Sequence, residues 1–338
     1  MTAFINGLGI IKPASSEPGA NAGNVLLQVD ELMLKEHIDA RMGRRMSRVI
    51  KMGVSAAKLS LKDAGIAVPD AILVGTGLGC MEDTEKFLTE LITNNEQLLT
   101  PTSFIQSTHN TVAGQIALML KCHDTNFTYV HRGISFELAL QDALMQIREG
   151  HPGNILVGGL DETTPDTFEI LKRLGAGNTS AAGSAAFMFG EGAGFFMLSG
   201  TSTPHTYAKI SQVQTLFDPA TEHEVTNFIT NTVLSTGIQI SNLSLVIGGM
   251  NGGTAADNIY NHLQIGLLHE IPWTGFKHIS GEYHTASAIG LSIAACILKK
   301  QRLPDDVITG NRSVREFKNI LLYNHHKQNH SAIVIQAC

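Results

Sequence analysis

Asn154-Ile155-Leu156-Val157-Gly158-Gly159 is an unbroken apolar run closed by two glycines. A run this short, with no polar alternation, predicts a strand buried on both faces. The pattern recurs in both directions from it. Upstream lie Ala71-Ile72-Leu73-Val74-Gly75 and the β-branched, aromatic Asn126-Phe127-Thr128-Tyr129-Val130. Downstream lie Leu243-Ser244-Leu245-Val246-Ile247-Gly248-Gly249 and Ser331-Ala332-Ile333-Val334-Ile335. Helical patterns separate these runs. Val54, Ala57, Leu61 and Ala64 recur at helical spacing, and Gly65 follows as a C-terminal stop. Val112 to Lys121, Phe136 to Arg148 and Ala286 to Lys300 are apolar nearly all round, which predicts buried helices. Strands alternating with helices give a layered α/β fold. The Gly-Gly strand ends at 158–159 and 248–249 are each followed by a polar loop and a helix, which points to a duplication. Gly200 to His205, rich in Ser, Thr and Pro, reads as the seam.

The 338 residues are enough for two or so structural units. Apolar residues make up 43 % and charged residues 16 %, so a large core can form and a disordered chain is excluded. A net charge of −6 argues against a nucleic-acid partner. No apolar run approaches a membrane span, and Met1-Thr2-Ala3-Phe4-Ile5-Asn6 lacks the basic region of a signal peptide. Four scattered cysteines, Cys80, Cys122, Cys296 and Cys338, form no CxxC pair. No metal site, disulfide framework or cofactor is expected, and the setting expected is a reduced cytoplasm.

Five segments, in order, resemble the β-ketoacyl synthases of the thiolase-like superfamily. They are Arg44-Arg45-Met46-Ser47-Arg48 with the helix ending Lys62-Asp63-Ala64-Gly65, then Gly75-Thr76-Gly77-Leu78-Gly79, then Asn110 to Ala117, then Gly158-Gly159-Leu160-Asp161-Glu162, and Gly190-Glu191-Gly192-Ala193-Gly194. The resemblance implies five layers, α-β-α-β-α, from two fused βαβαβαββ halves. It places an N-terminal half at 1–200 and a shortened C-terminal half at 201–338. It also implies a dimer.

The same resemblance locates the condensing residues, and here they are replaced. A thiolate nucleophile is expected at a strand-to-helix turn, where the helix N-terminus lowers its pKa. Laying Thr128 to Ala143 on that motif without gaps puts Gly133 at the cysteine position. The family's His-Gly-Thr turn corresponds to Met250-Asn251-Gly252-Gly253-Thr254, so Asn251 stands for the first histidine. Its Gly-His turn corresponds to Gly281-Glu282, so Glu282 stands for the second. An anion there would repel a malonyl carboxylate and its enolate. Asn324 to Asn329 replaces the late Gly-Phe-Gly-Gly loop.

A family member without the cysteine implies a chain-length factor, pairing with an active ketosynthase and an acyl carrier protein in type II polyketide, aryl polyene or flexirubin-type pathways. The dimer strand would be Asn126, Phe127, Thr128, Tyr129 and Val130, flanked by the helix Thr111–Lys121, with His131 and Arg132 near the subunit boundary. Alternatives are an acyltransferase or hydrolase using His131, Glu282 and His284 in the old pocket, or a homodimeric acyl-binding scaffold. The plainer reading of those three residues is that they fill a decayed pocket, with His284 a solvent-facing helix cap. Cys122 reads as a structural thiol. His325, His326 and His330 read as a polar surface loop rather than a metal site. Arg44, Arg45, Arg48 and Lys51 could attract an acidic carrier protein or make structural ion pairs, and the sequence leaves both open.

Overall fold

A computed structural model describes residues 3–14, 24–150, 153–176, 187–252, 257–305, 307 and 316–338. Ten strands there form one mixed sheet: β1 (Ala3–Ile11), β2 (Ala71–Gly75), β3 (Thr125–Tyr129), β4 (Ile155–Asp161), β5 (Gly192–Ser199), β6 (Ala208–Phe217), β7 (Leu245–Gly248), β8 (Trp273–Gly275), β9 (Asn319–His326) and β10 (Asn329–Gln336). Their spatial order is β8-β7-β9-β10-β6-β1-β5-β4-β2-β3. The order is two copies of one plan, third-second-fourth-fifth-first, joined edge to edge where Ala3, Phe4 and Ile5 pair with Ile210, Lys209 and Ala208. Pairing directions repeat as well. The second strand of each half lies parallel to the third and fourth, and the fifth lies antiparallel to the fourth and first.

The principal helices are α1 (Arg48–Ala64), α2 (Met81–Thr93), α3 (Thr111–Leu120), α4 (Ser135–Arg148), α5 (Pro165–Arg173), α6 (Glu222–Leu234), α7 (Asn258–Ile265) and α8 (Ser287–Lys300). Side-chain alternation along the strands explains how they stack. Ala71 and Leu73 of β2, with Ile155 and Val157 of β4, face one way and pack on α4. Ile72, Val74 and Leu156 face the other way, onto α1 and α3. In the second half Leu245, Ile247, Ile320 and Leu322 turn towards α8, while Val246, Leu321 and Val334 turn towards α6 and α7. Three apolar cores therefore separate five layers, with α4 and α8 in the middle one. The strands β2, β4, β5 and β7 are buried on both faces, which is why β2, β4 and β7 read as continuous apolar runs.

α1 ends as its sequence predicts, with Gly65 left-handed at φ +68°. Two other expectations need correction. The Gly-Gly ends at 158–159 and 248–249 are not equivalent, since β4 is the fourth strand of its half and β7 the second; Gly75 of β2 matches Gly248 in position. The helix α3 is buried only through Val112, Ala113 and Ile116, and Leu118 is exposed, because α3 packs on α1, β2 and β3 through one side alone.

Candidate functional site

The site lies where the C-terminal ends of β2, β4, β7 and β9 meet the N-terminal ends of α4 and α8. A cavity of about 510 Å³ opens there. Apolar side chains, including Leu78, Met81, Ile170, Phe187 and Phe189, line one part of it; Arg132, Lys277, Glu282, His284 and His326 line the other.

Asp161, at the end of β4, ties the floor together. Its carboxylate accepts from Thr76 Oγ1 (3.0 Å), the Gly77 N–H (2.7 Å) and the Leu78 N–H (3.2 Å) on one side. On the other it accepts from the Thr285 N–H (3.0 Å) and Oγ1 (2.8 Å). Glu162 accepts from the N–H groups of Val49 (3.2 Å) and Glu82 (2.8 Å), so it caps α1 and α2 together. Burial pushes its carboxyl up to about 8, with Glu82 and Glu191 adding to the effect.

Gly133 sits in a tight turn, Arg132–Ile134, at the head of α4. A Cβ added to it would lie 2.5 Å from the Cβ of His326. The imidazole of His326 thus stands where a side chain at 133 would project. His326 reaches this place because β9 keeps its alternation: Ile320 and Leu322 face the central layer, and the period of two carries Asn324 and His326 to the same face. The histidines at 325, 326 and 330 therefore do not form a surface loop. His325 and His330 are buried, with rings stacked 5.1 Å apart, and His330 Nδ1 meets Tyr323 Oη at 2.8 Å. Burial, with His325 alongside, lowers the His330 pKa to about 4. The chain turns at Lys327 and Gln328, in a hairpin whose strands, rather than whose tip, carry the rings.

Glu282 is the centre of charge. Oε1 faces His326 Nδ1 at 3.1 Å, and Oε2 accepts from Lys277 Nζ at 2.6 Å. Lys277, 1 % exposed, heads the short helix Lys277–Ser280 and also reaches the His325 carbonyl at 3.4 Å. Burial opposes the charge on Glu282, but the Lys277 ammonium and the His326 hydrogen bond outweigh it and hold the carboxyl down at about 2. The backbone of Glu282 is fixed as well, its N–H donating to the Met188 carbonyl at 2.7 Å.

His284 is not a solvent-facing cap. Its ring lies 4.4 Å from that of His326 and fills the space above Gly77, where a Cβ would collide with it. Burial, then the charges of His326 and Arg132, push its pKa down to about 3, so it is neutral near pH 7. Its Nδ1 has no hydrogen-bond partner among the described residues. Asn251 is buried and committed to structure. Its Nδ2 donates to the Met188 carbonyl (2.9 Å) and its Oδ1 accepts from the Met188 N–H (3.2 Å). Gly253 and Thr254 of its turn lie outside the described residues.

The remaining candidates are dispersed. His131 is exposed and absent from the cavity wall; its N–H donates to Ser135 Oγ. Arg132 does line the cavity, from a left-handed backbone at φ +54°. Asn126, Phe127, Thr128, Tyr129 and Val130 lie on β3 and just past it, and β3 is one of the two edge strands of the sheet. Phe127 is 55 % exposed there. Cys122 is buried against the Pro69 carbonyl. Of the basic stretch, Arg44 and Arg45 are exposed beside Gln106 and Gln115, and Lys51 is half-buried. Arg48 is structural: its Nε meets the buried carboxylate of Glu191 at 2.9 Å.

Among the site residues, Lys277 was missed by sequence reasoning and His326 was misread as part of a surface loop. A lysine directly after Phe276 and five positions before Glu282 was the available signal for the first. Extending the strand period from Ile320 was the signal for the second.

Residues 20–203 match the model of the family described as beta-ketoacyl synthase, N-terminal domain. The 3-oxoacyl-[acyl-carrier-protein] synthase 2 of Staphylococcus aureus (strain N315) is 21 % identical over 213 residues, covering 57 % of this chain and 50 % of that protein. The chain thus spans about half the length of the curated relatives it matches. Among solved structures, the ishigamide ketosynthase/chain length factor superposes with a TM-score of 0.81 at 16 % identity, covering 100 % of this chain and 99 % of that one. A type II PKS ketosynthase in complex with its acyl-carrier protein, AntDE:AntF, gives 0.79 at 14 % identity with the same coverages. A β-ketoacyl synthase from Burkholderia phymatum STM815 gives 0.78 at 17 %, again covering 100 % and 99 %. These superpositions establish the thiolase-like fold.

Proposed function

The chain belongs to the β-ketoacyl synthase family, and from that premise we propose that it is a non-condensing subunit of the chain-length-factor type. It pairs with an active ketosynthase, shapes the acyl tunnel and works with an acyl carrier protein in polyketide or fatty-acid-like synthesis. The observation that carries this reading is at Gly133. The position expected to bear the nucleophile has no side chain, and the His326 ring occupies the space beside it. The replacements at the other two positions point the same way. Asn251 is spent on the Met188 backbone, and Glu282 presents an anion where condensation would need a neutral donor. The exposed edge of β3, with Phe127, supplies the surface for the partner.

The test is co-expression with the ketosynthase of the same pathway. Light scattering should find a heterodimer, and intact-mass analysis after exposure to acyl donors should find the acyl group on the ketosynthase alone. A chain that stays monomeric both alone and with that ketosynthase overturns the reading. A stable homodimer that ignores the ketosynthase favours the acyl-binding scaffold instead. An enzyme built on His131 gains no support, since that ring faces solvent outside the cavity.

A further inference from the structure

We propose that His326 and Glu282 form a general-base pair that hydrolyses acyl thioesters in the cavity, with water as the nucleophile. The inference is independent of the chain-length-factor reading. Glu282 is an acceptor, so the proton on the 3.1 Å contact belongs to His326 Nδ1. In the neutral ring that leaves Nε2 with its lone pair. The hydrogen bond seen on the ring is the one at Nδ1, and His326 lines the cavity wall. A carboxylate on one ring nitrogen and an open second nitrogen is the arrangement of base and orienter.

The surroundings suit that task. Lys277 holds the second carboxylate oxygen at 2.6 Å and so acts as a positioning residue, fixing Glu282 where it can stabilise an imidazolium. His284, 4.4 Å away, adds no competing positive charge while it is neutral. Arg132 faces the same cavity from the head of α4, a cation available to a developing oxyanion. Phe187, Phe189 and Leu78 supply an apolar wall for an acyl chain. With no nucleophile at Gly133, no acyl-enzyme forms, and the attacking oxygen must come from water.

The step balances without any further reactant. His326 Nε2 takes a proton from water as its oxygen bonds to the acyl carbon. The tetrahedral intermediate collapses with cleavage of the C–S bond, and the imidazolium returns the proton to the departing thiolate. The products are one carboxylic acid and one thiol.

The full-length protein with decanoyl-pantetheine in ¹⁸O-water tests this. Thiol should be released above the buffer rate, with one ¹⁸O in the acid. His326→Gln keeps an N–H for Glu282 but has no base, and should lower the rate by about 100-fold or more. Imidazole should restore hydrolysis to His326→Gly, whose vacated space fits it; a structural histidine would give no such rescue. Cys122→Ala should hydrolyse at the wild-type rate. Thiol release at the buffer rate by folded wild-type protein, full activity in His326→Gln, or no rescue of a folded His326→Gly each overturn the proposal. A heterodimer without hydrolysis would sink this inference alone, and hydrolysis by a protein that never pairs would sink the subunit reading alone.

Discussion

Gly133 and His326 share one space, and that fixes what substitution at 133 can do. The glycine is not left-handed; its neighbour Arg132 carries the positive φ. A side chain at 133 is therefore excluded by contact rather than by backbone conformation. Gly133→Cys should cost about 1–3 kcal/mol, the usual range for overpacking, and should not self-acylate, since contact with His326 leaves the new side chain no room to reach an acyl donor. Chemical denaturation and intact-mass analysis after acyl donor measure the two effects. Gly133→Cys combined with His326→Gly should recover the lost stability. The buried histidines contribute to the response to acid. His284 and His330 stay neutral in the fold down to about 3 and about 4, whereas unfolded histidine protonates near 6.5. Below about pH 6.5 the unfolded chain therefore binds protons that the folded chain refuses, and stability falls with pH. The histidines' share of the urea midpoint should fall between pH 6.5 and 4, against an opposite contribution from the raised Glu162 carboxyl, and His284→Gln should reduce that share by about one proton. An unchanged slope in the variant would show that His284 titrates normally in the fold.

At the scale of elements, the first turn of α1 depends on groups far away in the chain. Ser47 makes no side-chain cap; the Arg48 and Val49 N–H groups donate instead to Glu82 and Glu162. Arg48 in turn neutralises Glu191, which is fully buried. Arg48→Ala leaves that charge unpaired and should destabilise by about 3 kcal/mol or more, read from the urea midpoint. A loss under 1 kcal/mol would mean that water or another cation compensates. The strand β3 poses the opposite situation, an edge with too little cover. Phe127→Asp changes only an exposed side chain on that edge. It should leave the fold intact and abolish assembly in light scattering, if this edge is the partner surface.

In the whole molecule, the two repeats share a core. The helix α4 of the first half packs against β6 of the second, and α8 of the second packs against β5 of the first. Residues 1–200 expressed alone would expose the inner face of their sheet and the far side of α4. They should give no cooperative unfolding transition, whereas the full chain should unfold in one. A sharp, reversible transition for the 1–200 fragment would show that the halves are independent domains. The site gains from this sharing. Gly133 comes from the first half, Glu282, Lys277 and His326 from the second, and only the packing of the halves brings them together.

The sequence alone determined the strands β2, β4, β7 and β10, the helices α1, α3, α4 and α8 and their alternation, because a strand buried on both faces leaves a run of apolar residues that needs no partner to be recognised. It also determined that 133 is glycine at a strand-to-helix turn. It did not reveal which strands correspond between the repeats, since Gly-Gly ends mark close approach rather than position in a sheet. Nor did it reveal that His326 and Lys277 belong with Glu282. That grouping depends on a hairpin 44 residues away in sequence folding its inward face onto the head of α4. Only tertiary contact decided that the histidines are buried, that Glu282 keeps its charge, and that the space left by a missing side chain is filled from the other half of the chain.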